Sequence, residues 1–138
     1  MWDIPRGREE ANVAHSAARH SEIDELPAGE AVYARIVKDT YDGGLSAADV
    51  ALVVGVGDRQ VRNWSAGASA PRGPTRDRLL ELHYVTRQLR EVYTREGAEI
   101  WLHGRKRSLG GRRPIDLLAA GAFEEVLDAI ERMNAGAM

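Results

Sequence analysis

Leu45-Ser46-Ala47-Ala48-Asp49-Val50-Ala51-Leu52-Val53-Val54-Gly55-Val56-Gly57-Asp58-Arg59-Gln60-Val61-Arg62-Asn63-Trp64-Ser65-Ala66-Gly67 decides the fold of this chain. Ser46 and Asp49 stand three apart, the spacing of a capping box with a shortened acid, so a helix is predicted to begin at about Ser46. Val50, Ala51, Val53 and Val54 supply its inward side. Gly55 falls where a left-handed turn is needed, Val56 re-enters the core, and Val61 with Trp64 forms the inner face of a second short helix. Ala51, Gly55 and Val61 thus provide a small residue at the crossing, a turn glycine and a branched apolar plug, as a tight helix-turn-helix requires. An ordinary αα-hairpin within a helical core fits the same pattern.

On the N-terminal side, Val32, Tyr33, Ile36, Val37 and Tyr41 recur at helical spacing from Gly29 onward, and Gly43-Gly44 ends that helix. Residues 1–26 are polar and aperiodic, broken by Pro5 and Gly7, which predicts a flexible arm. On the C-terminal side, Leu79, Leu82, Val85, Leu89 and Val92 line one stripe of a long helix expected over Thr75 to Tyr93. His83 on that helix lacks a second ligand at metal-binding spacing and reads as structural. A helix beginning near Glu96 ends around Trp101-Leu102, a polar basic loop runs from His103 to Ser108, and Gly110-Gly111 allows a sharp bend. Pro114 suits the first position of a short helix, with Asp116 in its first turn. Phe123, Val126, Leu127, Ile130 and Met133 mark a final amphipathic helix.

The expected architecture is therefore all-α: a helix-turn-helix bundle followed by a small helical cap. It divides into an arm (1–26), a helix-turn-helix unit (27–95) and a C-terminal unit (96–138). A chain of 138 residues has room for one compact domain, or two very small ones sharing a core. It contains no cysteine, which removes disulfides, thiolate metal sites and cysteine nucleophiles together. No run of ~18 apolar residues occurs, and the acidic start lacks the form of an export signal, so a cytoplasmic, non-membrane protein is expected. No glycine-rich phosphate loop, metal cluster or nucleophile grouping recommends an enzyme or a cofactor.

The net charge of -2 conceals an asymmetry: residues 57–113 hold 13 basic and 6 acidic groups, whereas both flanks are acidic. A basic centre between acidic ends suits a phosphate-binding face. Leu45 to Gly67, with Asn63-Trp64-Ser65-Ala66-Gly67 and Pro71 beyond, resembles the helix-turn-helix of Xre-type (Cro/repressor-like) regulators. The resemblance implies that the outer face of the second helix, Arg59, Gln60, Arg62 and Asn63, enters the major groove of operator DNA. Arg can bond guanine edges bidentately and Gln or Asn adenine edges, so base readout is assigned to Arg59, Gln60 and Asn63. Arg72, Arg76 and Arg78 are expected to clamp phosphates. Gly57 departs from the pattern, standing where a hydroxyl residue commonly caps the recognition helix, and Asp58 places an acid beside it.

Trp101-Leu102, a short loop, Leu109-Gly110-Gly111, two residues, Pro114-Ile115-Asp116-Leu117-Leu118 and then Phe123-Glu124-Glu125-Val126-Leu127-Asp128-Ala129-Ile130 resemble the toxin-binding domain of the Xre/MbcA/ParS antitoxins. That resemblance implies a RES-fold toxin as protein partner, an enzyme that consumes NAD. It also implies a type II antitoxin that represses its own operon, as a homodimer or in a larger hetero-oligomer with the toxin. Trp101, Arg112, Arg113, Phe123, Met133, Asn134, Gly136 and Met138 are the candidate toxin contacts, with Asn134 to Met138 expected as a small flexible tail obstructing NAD entry. The loop Gly104-Arg105-Lys106-Arg107 is more basic than the family's short polar loop. A stand-alone Xre-type regulator, whose C-terminal unit serves dimerisation, is the alternative.

Overall fold

The computed structural model describes residues 29–136. The expectations for residues 1–26 and for Met138 lie outside that range. Among the described residues seven α-helices follow one another: α1 (Glu30–Asp42), α2 (Ala47–Val54), α3 (Asp58–Ser65), α4 (Gly73–Arg90), α5 (Arg95–His103), α6 (Pro114–Ala119) and α7 (Phe123–Gly136). A single 3-10 turn, Arg107–Leu109, lies between α5 and α6. Among the described residues the only extended pairing is an isolated antiparallel bridge between Lys106 and Arg112.

Local chemistry sets the boundaries of the central pair. The Ser46 hydroxyl accepts from the Asp49 N–H at 3.1 Å while the Ser46 N–H donates to the Asp49 carboxylate at 3.0 Å, so the capping box is closed in both directions. Gly55 then takes φ 86, the left-handed region that ends α2. Three residues later α3 starts, capped by Gly57 without any side-chain acceptor. The inward residues Val50, Val53, Val61 and Trp64 are fully buried. Burial of Trp64 leaves its indole N–H without a hydrogen-bond partner among the described residues, a desolvation cost that the ring's packing has to exceed.

Long helix α4 is the spine. Leu79, Leu82, Val85 and Leu89 are wholly excluded from solvent, and α4 packs against α1 and α2 on one side and α5 and α7 on the other. Pro74 in its first turn fixes a start at Gly73, two residues before the periodicity suggested, and the helix ends at Arg90 rather than Tyr93. Residues from α1 to α7 belong to one continuous apolar cluster, in which Val37 and Val50 share a core with Leu102, Leu118 and Val126. The cluster spans position 95, so the central pair of helices and the C-terminal unit share an interior.

Gly43-Gly44 ends α1 as expected, with Gly43 as its C-cap, and the close approach of α4 and α5 gives a second reason for both glycines. A Cβ on Gly43 would lie 2.7 Å from Thr86 Cβ on α4, and one on Gly44 would lie 2.7 Å from the Glu99 amide nitrogen on α5. Gly44 also has φ 94. The α1–α2 connection is thus pressed between α4 and α5, where no side chain fits.

Candidate functional site

Two surfaces and the joint between them make up the site. The first is the outer side of α3. Val61 and Trp64 point inward, so the helix must turn Arg59, Gln60, Arg62 and Asn63 outward, and all four are exposed. Arg59 stands three and four residues before Arg62 and Asn63, which places them on one side of the helix. Arg72 is exposed at the N-cap of α4 and Arg76 is half-buried in its first turn. The structure therefore leaves these six candidates at the surface.

Arg78 does not join them. Its guanidinium reaches across to the C-terminus of α6, donating to the Leu118 and Ala119 carbonyls at 3.3 and 3.1 Å, and it lies 5.8 Å from the centroid of the Phe123 ring. The expected phosphate clamp is instead a C-cap supplied from another helix, because cations satisfy the unpaired carbonyls and the negative end of a helix. Arg78 fixes the α6–α7 corner onto α4.

The second surface is the C-terminal unit. Arg112 donates to Leu109 O through Nε at 2.9 Å and to Glu125 at 3.1 Å, tying the glycine bend to α7. Arg113 forks onto both carboxylate oxygens of Asp116 at 2.8 Å each. That bidentate bond holds the Asp116 carboxyl below its usual range. Trp101 departs from expectation: it is 7% exposed, within the core, and the Lys106 ammonium lies 5.7 Å from its ring centroid. Burial leaves little of the ring open to a partner, and the side chain packs beneath this surface. Phe123 and Met133 are half-buried, and Asn134 and Gly136 are exposed.

Residues Asn134 to Gly136 are helical, which corrects the expectation of a loose tail there. Despite the poor helix formers Asn and Gly, the last turn is held by a tertiary contact: the Tyr93 hydroxyl donates to Met133 Sδ at 3.5 Å.

Between the two surfaces lies a joint that sequence spacing did not reveal. His103, the last residue of α5, directs Nε2 to the Asp49 carboxylate at 3.0 Å and Nδ1 to the Glu99 carbonyl at 2.8 Å. Burial by itself lowers the pKa of this imidazole; the hydrogen bonds to Glu99 and Asp49 together outweigh it and, against opposition from Arg113, hold it above the ordinary value of 6.5. Two acceptors facing both ring nitrogens favour the doubly protonated ring. The same Asp49 oxygen closes the cap of α2, so one carboxylate joins the central helices to the C-terminal unit. A second imidazole–carboxylate pair, His83 with Asp39 at 3.1 Å, joins α4 to α1.

No group of three or more potential metal ligands occurs among the described residues, and no described helix is long and apolar enough to cross a membrane. The surfaces offer recognition chemistry: guanidinium forks, an amide-bearing helix face and a clasped basic loop.

Residues 88–136 match the antitoxin Xre/MbcA/ParS C-terminal toxin-binding domain. A "probable mycobacterial cidal antitoxin" of Mycobacterium tuberculosis is 40% identical over 94 residues, covering 68% of this chain and 80% of the relative. The chain belongs to the Xre/MbcA/ParS antitoxins. Mycobacterial cidal antitoxin MbcA of Mycobacterium bovis is 37% identical over 93 residues, covering 67% of this antitoxin and 82% of MbcA. The crystal structure of the M. tuberculosis MbcT–MbcA toxin–antitoxin complex contains a chain that superposes with a TM-score of 0.67 at 34% identity, covering 76% of this antitoxin and 96% of that chain. The similarity thus extends well beyond the toxin-binding domain into the helices that precede it.

Proposed function

We propose that this antitoxin binds and inhibits a RES-fold toxin that degrades NAD, using the surface built from α5, α6 and α7. We further propose that α2 and α3 form a helix-turn-helix through which the chain, as a dimer or in complex with the toxin, represses its own operon. The observation that carries the reading is the similarity to MbcA, a protein whose structure is a complex with its toxin MbcT. The outward set Arg59, Gln60, Arg62 and Asn63 supports the second role, because it presents the donors and acceptors that read major-groove edges.

In this reading Arg112, Arg113, Phe123 and Met133 flank the toxin contact and the end of α7 obstructs the path of NAD to the toxin's active site. Asn134 and Gly136 are carried there on a helical turn, a stiffer wedge than a free tail. The test is to co-express the toxin with the full antitoxin or with one lacking residues 134–138, purify each complex and follow NAD consumption. Inhibition by the full chain and its relief on deletion are expected. Unchanged inhibition rejects obstruction by the end of α7, and failure of the full chain to retain or silence the toxin rejects the reading altogether.

A further inference from the structure

We propose that the loop Gly104–Arg107 is a second phosphate-binding element, which widens the DNA footprint of the antitoxin beside the N-terminus of α2. The inference rests on the DNA-binding role of α2 and α3 given above and extends it to residues within the unit that matches the toxin-binding domain.

Position comes first. In a helix-turn-helix the leading helix crosses the sugar–phosphate backbone while its successor enters the groove. The His103–Asp49 contact places the end of α5 against the first turn of α2, and the loop starts at the next residue, Gly104. Arg113 feels the charge of Asp49, and Arg105 and His103 feel that of Asp116, so Arg105 and the base of the loop lie in the same charge cluster as this end of α2.

Charge comes second. Arg112 and Arg113 are neutralised by Glu125 and Asp116. Among the described residues, Arg105, Lys106 and Arg107 have no carboxylate within ion-pair distance: Arg105 donates to the Gly111 carbonyl at 3.1 Å, Lys106 lies over Trp101, and Arg107 is exposed. Three cations without a direct ion pair among the described residues thus stand on one short loop.

Rigidity comes third. Lys106 N–H donates to Arg112 O at 3.0 Å, Gly111 N–H donates to Lys106 O at 2.9 Å, and buried Leu109 pegs the turn into the core. A loop fixed in this way brings its cations to a partner with the backbone already ordered, so that only side-chain freedom is lost on binding. Its apolar members, Trp101 beneath and Leu109 within, face inward, so its outer side offers charge with no apolar residue of the kind that dominates protein–protein contacts. Phosphate backbone is the partner that this chemistry fits.

The test uses the full-length protein, a mixed-sequence DNA duplex of about three helical turns and a duplex from upstream of its own gene. Binding is titrated across salt for the wild type, for Arg105→Gln with Arg107→Gln, and for Arg59→Ala with Gln60→Ala. Lys106 is left in place because it covers Trp101. Each lost phosphate contact removes about 0.9 from the log–log salt slope, so the loop variant should lose about two while keeping its preference between duplexes. The α3 variant should lose the preference. A loop variant with an unchanged slope and native circular dichroism overturns the proposal while leaving the α3 reading intact. Absence of binding by the wild type at low salt overturns both. If the loop variant loses co-purifying toxin and keeps its DNA slope, the surface belongs to the protein partner and the proposal fails.

Discussion

Substituting alanine in turn at Gly43, Gly44 and Gly55 separates two costs that one glycine can carry. Gly55 has φ 86 and open space where a Cβ would stand; Gly43 has φ -87 and a Cβ position 2.7 Å from Thr86; Gly44 has both φ 94 and a Cβ position 2.7 Å from the backbone of Glu99. Left-handed backbone costs an alanine about 1–2 kcal/mol. Overpacking against a fixed neighbour costs about 1–3 kcal/mol. Thr86 gives little, being 2% exposed with its hydroxyl bonded to His83 O, and the Glu99 amide cannot give without moving α5. Gly55→Ala should therefore cost about 1 kcal/mol, Gly43→Ala about 2, and Gly44→Ala about 2–5, a large share of a stability of roughly 5–15 kcal/mol. Near the midpoint each kcal/mol lowers Tm by about 4 °C, so calorimetry or thermal circular dichroism should place Gly44→Ala lowest, roughly 8–20 °C below the wild type. A Gly44→Ala protein as stable as Gly55→Ala would show that α5 does not sit against the α1–α2 connection, and the described joint between the two functional surfaces would fall with it.

The His103–Asp49 contact makes a pH-dependent contribution. Because the folded imidazole has a raised pKa, that contribution is fully present below the ordinary value of 6.5 and is lost as pH rises through the folded pKa. The ring is about one-third exposed, which limits the effect to about 1 kcal/mol or less. The stability gap between wild type and His103→Ala, measured by urea unfolding, should narrow from about pH 5.5 to about pH 8.5; a gap independent of pH would reject the charged pair. Removing the borrowed cap with Arg78→Leu should cost about 2 kcal/mol and speed hydrogen exchange at the α6–α7 corner, while leaving the salt slope of DNA binding unchanged; a reduced slope would restore Arg78 as a phosphate contact. Leu89→Ala, at a fully buried position on α4, should cost about 2–5 kcal/mol and unfold the central helices and the C-terminal unit in one transition. Two separate transitions would contradict the shared interior.

Features set within a few residues were legible in the sequence. The capping box at Ser46 and Asp49, the left-handed Gly55 and the helix-opening Pro114 depend on their immediate neighbours, and each lies where its spacing indicated. The outward face of α3 followed from the same logic, since Val61 and Trp64 fix the inner side. What escaped were contacts between residues far apart in the chain. The Asp49–His103 pair spans 54 positions, and Arg78 reaches 40 and 41 positions ahead. An arginine among arginines carries no local sign that a helix C-terminus, rather than a phosphate, will take it. The adjacent glycines 43 and 44 marked the end of α1 in the sequence, but the passage of the α5 backbone beside Gly44 is a tertiary contact with no local sign. At the end of α7, a contact with Tyr93 overrode the local preference of Asn134 and Gly136 for coil.

Because a single cluster of side chains underlies both surfaces, neither module can melt alone without exposing the other's interior to water. Damage to either end, by a destabilising substitution or a cut that reaches the cluster, therefore disrupts both surfaces in the same event. Under the roles proposed above, a cell carrying such a chain would hold no half-competent remnant that silences a promoter after it has ceased to silence the poison.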